Sequence, residues 1–272
     1  MPTQIARKLR EGNMRNIWTI AKREYDHYFV SPIAYVVAFI ILFILGIYFA
    51  IIIGATAQQA FYGAPAPDIT PINWLFVFLL LFASPAITMR SLSEEARTGT
   101  LELLLTAPLR DFELVLGKWL GALLFILSIL AVTLIFPIIL NGIVIGKFTI
   151  LSPLVSPGID RQLMLSSYLG VILAAAAFLA LGVGISAIFT NQIAAFFATL
   201  GLFFIIWFMM SLFTNIVQGS GADVFNYLNM SSHFTDAFNT GSIKLTDIIY
   251  FVSLIALGLF TGTTAVEVRR WR

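Results

Sequence analysis

Residues 33–54 read IAYVVAFIILFILGIYFAIIIG, a run without one charged side chain. A helix needs ~20 apolar residues to cross the hydrocarbon core of a bilayer. Five more runs of this kind follow, at 72–89, 119–141, 163–189, 193–214 and 248–266. Backbone N–H and C=O groups have no water to pair with in lipid, so spanning segments close their hydrogen bonds internally as helices. The sequence therefore predicts an all-α, polytopic membrane protein with six transmembrane helices, all within one membrane domain over 1–272. The composition agrees: 59% of residues are apolar and 11% are charged, against about 25% charged in soluble domains.

Charge placement predicts the orientation. Six basic residues precede the first run, from Arg7 to Arg23. Arg90, Arg97, Arg110 and Lys118 lie between the second and third, and Arg269, Arg270 and Arg272 follow the last. Lys147, Arg161 and Lys244 fall on the opposite side. The positive-inside rule then puts both termini and the 90–118 loop in the cytoplasm. The basic N-terminus lacks the features of a cleaved signal peptide, so the first run serves as the insertion signal.

Residues 14–31 have a different pattern. Ile17, Ile20, Ala21, Tyr25, Tyr28 and Phe29 share one helical face, and Arg15, Lys22, Arg23 and Asp26 fall mostly on the other. This predicts an interfacial helix before the chain turns in at Pro32. Pro85 and Pro137 could each kink a span. The small residues of the fourth run, such as Ala180 with Gly184 and Gly182 with Ser186, favour close helix packing within one subunit. The fifth run is bulky, and lipid contact or a pathway wall would both suit it. The outer loop 218–247 is long enough for one or two short helices near the surface.

Several chemistries are unsupported. The sequence has no Gly-x4-Gly-Lys-[Ser/Thr] phosphate loop, no cysteine, and no His/Asp/Glu cluster at metal-ligand spacing. Its two histidines, His27 and His233, read as surface or packing residues. The runs contain no ionisable group of the sort that ion-coupled transporters keep at membrane depth. An energy source outside the membrane is expected, without catalysis in this chain. An intramembrane lipid enzyme is disfavoured for want of a catalytic cluster.

The loop 90–118 reads RSLSEEARTGTLELLLTAPLRDFELVLGK, with nine charged residues counting Arg90 and Lys118. Ser93 with Glu94 and Glu95 can begin a short helix, Thr98-Gly99-Thr100 breaks it, and Leu101 to Leu105 give an apolar face to a second that Pro108 ends. A charged helix–turn–helix held between two spans is a docking handle, since force on it would move both.

SEEARTGTLELLLTAP at 93–108 and LVLGK at 114–118 resemble the signature of type-2 ABC exporter permeases, most closely the gliding-motility and copper-insertion-associated branch. IWTIAKREYDHYFVSPIAYV at 17–36, SSHFTDAFNTGSIKLTDIIYFVS at 231–253 and VEVRRW at 266–271 resemble the same family, in the same order along the chain. The resemblance implies a multi-pass permease of a bacterial or archaeal cell membrane that pairs with a second copy or a close paralogue. Two separate ABC ATPase subunits, which would bind ATP and Mg, dock on a cytoplasmic coupling helix. The implied coupling positions are Glu94, Glu95, Arg97, Thr98, Gly99, Thr100, Leu101 and Glu102. Glu94 and Glu95 would pair with basic residues of the ATPase, Gly99 would permit the turn, and Leu101 would fill an apolar groove or brace the loop. The alternative is a non-transporting ABC membrane module that passes ATPase motion to an extracytoplasmic partner. No nucleic-acid partner, bound cofactor or resident metal is implied for the chain itself.

Overall fold

A computed structural model describes residues 2–60, 68–100, 109–145, 159–216 and 220–270. Every regular element among them is helical: α1 (Pro2–Tyr28), α2 (Pro32–Ala60), α3 (Thr70–Thr88), α4 (Ser93–Thr98), α5 (Asp111–Thr133), α6 (Ile135–Ile145), α7 (Arg161–Ile188), α8 (Gln192–Phe204), α9 (Met210–Ile216), α10 (Ser220–Leu228) and α11 (Leu245–Arg270). A π-helical turn, Ile205–Met209, joins α8 to α9. Six segments are long and apolar enough to cross a bilayer: Pro32–Ala55, Thr70–Thr98, Asp111–Ile143, Arg161–Ile188, Gln192–Phe213 and Leu245–Arg270. The protein is thus an all-α, multi-pass membrane protein.

Local chemistry sets where several spans start. Asp160 caps α7 by accepting from the Gln162 and Leu163 N–H groups at 2.9 and 3.2 Å. Asn191 caps α8 through Ile193 N–H at 2.9 Å. These side-chain oxygens satisfy donors that the first helical turn leaves without partners. The third span breaks at Leu134, between α5 and α6. Pro137 has no N–H to give the Thr133 carbonyl, and the Tyr168 hydroxyl of α7 donates to that carbonyl instead, at 3.1 Å.

The fourth span is the centre of the bundle. α3, α5, α8 and α11 all pack on α7, whose small residues let them approach. A Cβ added at Gly184 would stand 2.5 Å from the Gly258 carbonyl of α11. One at Gly170 would stand 2.5 Å from Phe238 Cβ. The Ala180–Gly184 pair therefore packs within the subunit, against the Gly258–Gly262 pair of α11. Asn73 on α3 donates to Ser167 Oγ on α7 at 2.8 Å, a buried bond between spans. Trp119 also turns inward, donating to the Ala176 carbonyl at 2.9 Å.

The first span contrasts with the fourth. Tyr35, Phe39, Phe43, Ile47 and Ile51 on α2 are exposed, as an apolar helix face in lipid would be. The fifth span exposes Ile193, Phe197, Phe204 and Met209.

Candidate functional site

α1 does not cross the bundle as a separate layer. Ile20 packs on Gly117, Glu24 on Gly121, and Tyr28 stacks on Phe125 at 5.0 Å. The numbers advance together, so this half of α1 runs beside the start of α5 in the same chain direction. Gly117 and Gly121 make the approach possible: a Cβ at Gly121 would fall 2.6 Å from Glu24 Cβ and 2.9 Å from the Ala21 carbonyl. The predicted apolar face holds at Ile20, Ala21 and Tyr28, which are buried. In its middle stands a carboxylate, Glu24, also buried.

That carboxylate has a cation waiting. Lys118 of α5 is 2% exposed, and its Nζ donates to Glu24 Oε1 at 2.8 Å and to Glu95 Oε1 at 2.8 Å. Arg23 flanks both carboxylates, at 3.3 Å from Glu24 and 3.8 Å from Glu95. Burial pushes the Glu24 carboxyl up, but Lys118 and then Arg23 outweigh it and hold the group below its ordinary value. One buried ammonium thus binds α1, α4 and α5 together. α5 begins at Asp111, so the stretch 111–118 is helix rather than connector.

α4 has two further anchors. Ser186 Oγ of α7 accepts from the Leu92 and Ser93 N–H groups at 3.1 and 3.2 Å. Leu92 itself is buried in an apolar cluster with Ile20, Leu114, Val115, Val183 and Val266. At its far end α4 stops at Gly99, whose φ of 74° lies in the left-handed region that favours glycine. The sixth span is tied in alongside: Arg270 Nη2 lies 3.3 Å from Asp111 Oδ1, and Arg269 donates to the Ile188 carbonyl at 3.0 Å.

The expected coupling positions therefore divide. Glu95 turns inward to Lys118. Glu94 is half-buried, while Arg97, Thr98, Gly99 and Thr100 are exposed. Leu101 and Glu102 lie outside the described residues, as do Leu103 to Leu105 of the second short helix. The spacing of residue types missed Glu24, Lys118 and Ser186. A carboxylate inside an apolar stripe was the one available signal, because a buried charge demands a partner.

Between α1, α4 and the adjoining ends of the first two spans lies a cleft of about 550 Å³. Tyr28, Ile33 and Ile87 give it apolar walls, and Arg23, Arg90 and Glu94 give it charge. Among the described residues no group of three or more His, Asp or Glu is placed to hold a metal.

A second polar cluster lies at the opposite end of the bundle. α10 and the turns after it fold inward, burying Phe234 and Phe238. His233 Nδ1 is 2.7 Å from Asp247 Oδ1, and its Nε2 is 2.8 Å from the Tyr227 carbonyl. The imidazole stacks on Tyr250 at 4.0 Å.

The described residues thus form a bundle of six apolar helices that carries a short charged helix anchored to several of them. A family model described as ABC-2 family transporter protein matches residues 69–266, most of the chain, and the chain belongs to that family. No curated protein matches it. Members of this family generally work with ABC ATPase subunits.

Proposed function

We propose that this chain is the permease subunit of an ABC exporter, with both termini and α4 on the cytoplasmic side of the cell membrane. Two copies, or this chain and a close paralogue, pair above two separate ATPase subunits, which supply the ATP and Mg chemistry. The exposed end of α4, with Arg97, Thr98, Gly99 and Thr100, is the docking surface, bordered by the half-buried Glu94 and continued by Leu101 and Glu102. Glu95 has a different role from the one its sequence suggests: it passes motion inward. Within that reading we assign the chain to the gliding-motility and copper-insertion-associated branch, which its motifs resemble.

The observation that carries this reading is the anchoring of α4. Its N-terminal N–H groups sit on Ser186 of the fourth span, and Glu95 sits on Lys118 of the third and beside Arg23 of α1. Helix α4 cannot shift as a unit without moving three membrane elements or breaking buried polar contacts. ATPase closure against α4 would therefore be felt in the spans.

The test separates docking from transmission. Glu94→Lys with Arg97→Glu should reduce co-purification of the ATPase by about tenfold or more, as loss of close interfacial charge pairs does. Ser186→Ala should leave co-purification intact and lower substrate-stimulated ATP hydrolysis in the assembled complex. Normal assembly and turnover in both variants would reduce α4 to a connector.

A further inference from the structure

We propose that the 550 Å³ cleft beside α4 binds the headgroup of an aminophospholipid, with phosphate and ammonium held by separate walls. The proposal uses the orientation given above but not ATPase docking, so lipid binding is measurable on this chain alone. The volume falls in the ~300–1,000 Å³ range of small-ligand sites. Its place, between an amphipathic helix and the ends of two spans, is where headgroups of the cytoplasmic leaflet would lie.

The charges decide the ligand. Lys118 is spent on Glu24 and Glu95, which leaves Arg90 and Glu94 as opposite charges on the cleft wall without an ion pair among the described residues. They are one helical turn apart in sequence yet do not pair with each other. Ser91 and Glu95 also line the cleft, but Ser91 Oγ and Glu95 Oε2 are themselves closed off from solvent, so the open charges of the wall are those of Arg90 and Glu94.

A phosphate fits Arg90 and Arg23, both of which donate. A primary ammonium fits the Glu94 carboxylate, which accepts. The two ligand groups must be a few atoms apart, as in phosphoethanolamine. A choline headgroup has the charge but no N–H for the Glu94 carboxylate, and a glycerol headgroup has no cation. Tyr28, Ile33 and Ile87 then face the glycerol backbone and the first methylenes of the chains.

The purified full chain would be placed in nanodiscs containing equal parts of phosphatidylethanolamine, phosphatidylcholine and phosphatidylglycerol. Lipids retained through extraction would be counted by native mass spectrometry. Phosphatidylethanolamine should be retained over each of the other two lipids at a ratio of about ten to one, against one to one in the bulk, which corresponds to about 1.4 kcal/mol. Arg90→Gln and Glu94→Gln should each abolish the enrichment. Leu257→Ala, on an exposed face of the sixth span, should not, and unchanged thermal unfolding would show all three folded. Retention at bulk ratio, enrichment indifferent to Arg90→Gln and Glu94→Gln, or preference for phosphatidylglycerol would each overturn the proposal. So would free O-phosphoethanolamine binding as tightly as the lipid, since the occupant would then be a soluble phosphoamine.

Discussion

The two ends of the bundle each bury a basic side chain against a carboxylate, but they surround it differently. At the corner that the proposed orientation makes the outer one, His233 is held by Asp247 and the Tyr227 carbonyl, with Tyr250 stacked on its ring. All of these come from one stretch of chain, residues 227–250. At the other end, Lys118 joins Glu24 and Glu95 across sequence separations of 94 and 23 residues, and the cluster borders a cleft. The first arrangement fixes one corner in place. The second makes three elements depend on a single ammonium, one of them a six-residue helix with an exposed end. The second arrangement is the one that suits the proposed passage of motion from α4 into the spans.

Removing the joint's cation should give the largest effect. Lys118→Met leaves Glu24 and Glu95 facing each other with only the more exposed Arg23 beside them, and breaking a buried pair from one side costs about 3–5 kcal/mol. The unfolding midpoint in detergent should fall sharply. Adding Glu24→Gln and Glu95→Gln to Lys118→Met should restore most of the stability, because replacing a whole buried ion cluster is often near neutral. The restored protein should still fail to stimulate ATP hydrolysis in the complex. Full coupling in that triple variant would mean the ion cluster only stabilises the fold.

The outer corner should respond less and differently. His233→Phe keeps the stack on Tyr250 but strips the partners from Asp247 and the Tyr227 carbonyl. Stability should drop by about 1–3 kcal/mol, the cost of unsatisfied buried polar groups, while ATPase co-purification stays as in the parent. A loss of docking would show that the two ends are linked, and the contrast between them would fail.

Gly99 tests the exposed end of α4. Its φ of 74° suits glycine, and nothing stands within 4 Å of where a Cβ would be. Gly99→Ala therefore carries only the left-handed backbone cost, about 1–2 kcal/mol, with no clash. That strain is relieved most easily by redirecting the chain after Thr98. Thermal stability should change little, and ATPase binding should weaken more than stability does.

Much of the fold was legible because lipid imposes a simple rule. The runs at 33–54 and 163–189 fall within α2 and nearly coincide with α7. The small residues of the fourth run were readable as a packing face for the same reason. The joint was not legible. Residues 111–118 carry Asp111, Glu113 and Lys118 and read as the last part of the 90–118 loop, yet they form the first turns of α5. Their charges are tolerated there because partners arrive from α1, α4 and α11. No local pattern announces a partner 94 residues away. The outer corner was hidden likewise: His233 and Asp247 are 14 residues apart, and only the inward fold of Phe234 and Phe238 brings them together. Pro137 was visible as a breaker, but the Tyr168 hydroxyl that compensates for it was not.

The smallest effect is confined to acid. Burial alone would raise the Glu24 carboxyl, but Lys118 and Arg23 hold it below its ordinary value. A carboxylate depressed in the folded state gives up its proton more readily there than in the unfolded chain. Its stabilising contribution is complete above the unfolded value, about 4.3 for a glutamate, and is lost as pH falls through the folded value. Unfolding curves of the parent and of Glu24→Gln should therefore stand apart by a constant amount at neutral pH and converge only below about pH 4.3. The histidine at the outer corner gives a useful contrast, since His233→Phe leaves this acid limb unchanged. A gap between the parent and Glu24→Gln that closed between pH 5 and 8 would mean burial dominates at Glu24. Lys118 would then belong to Glu95 alone, and α1 would drop out of the joint.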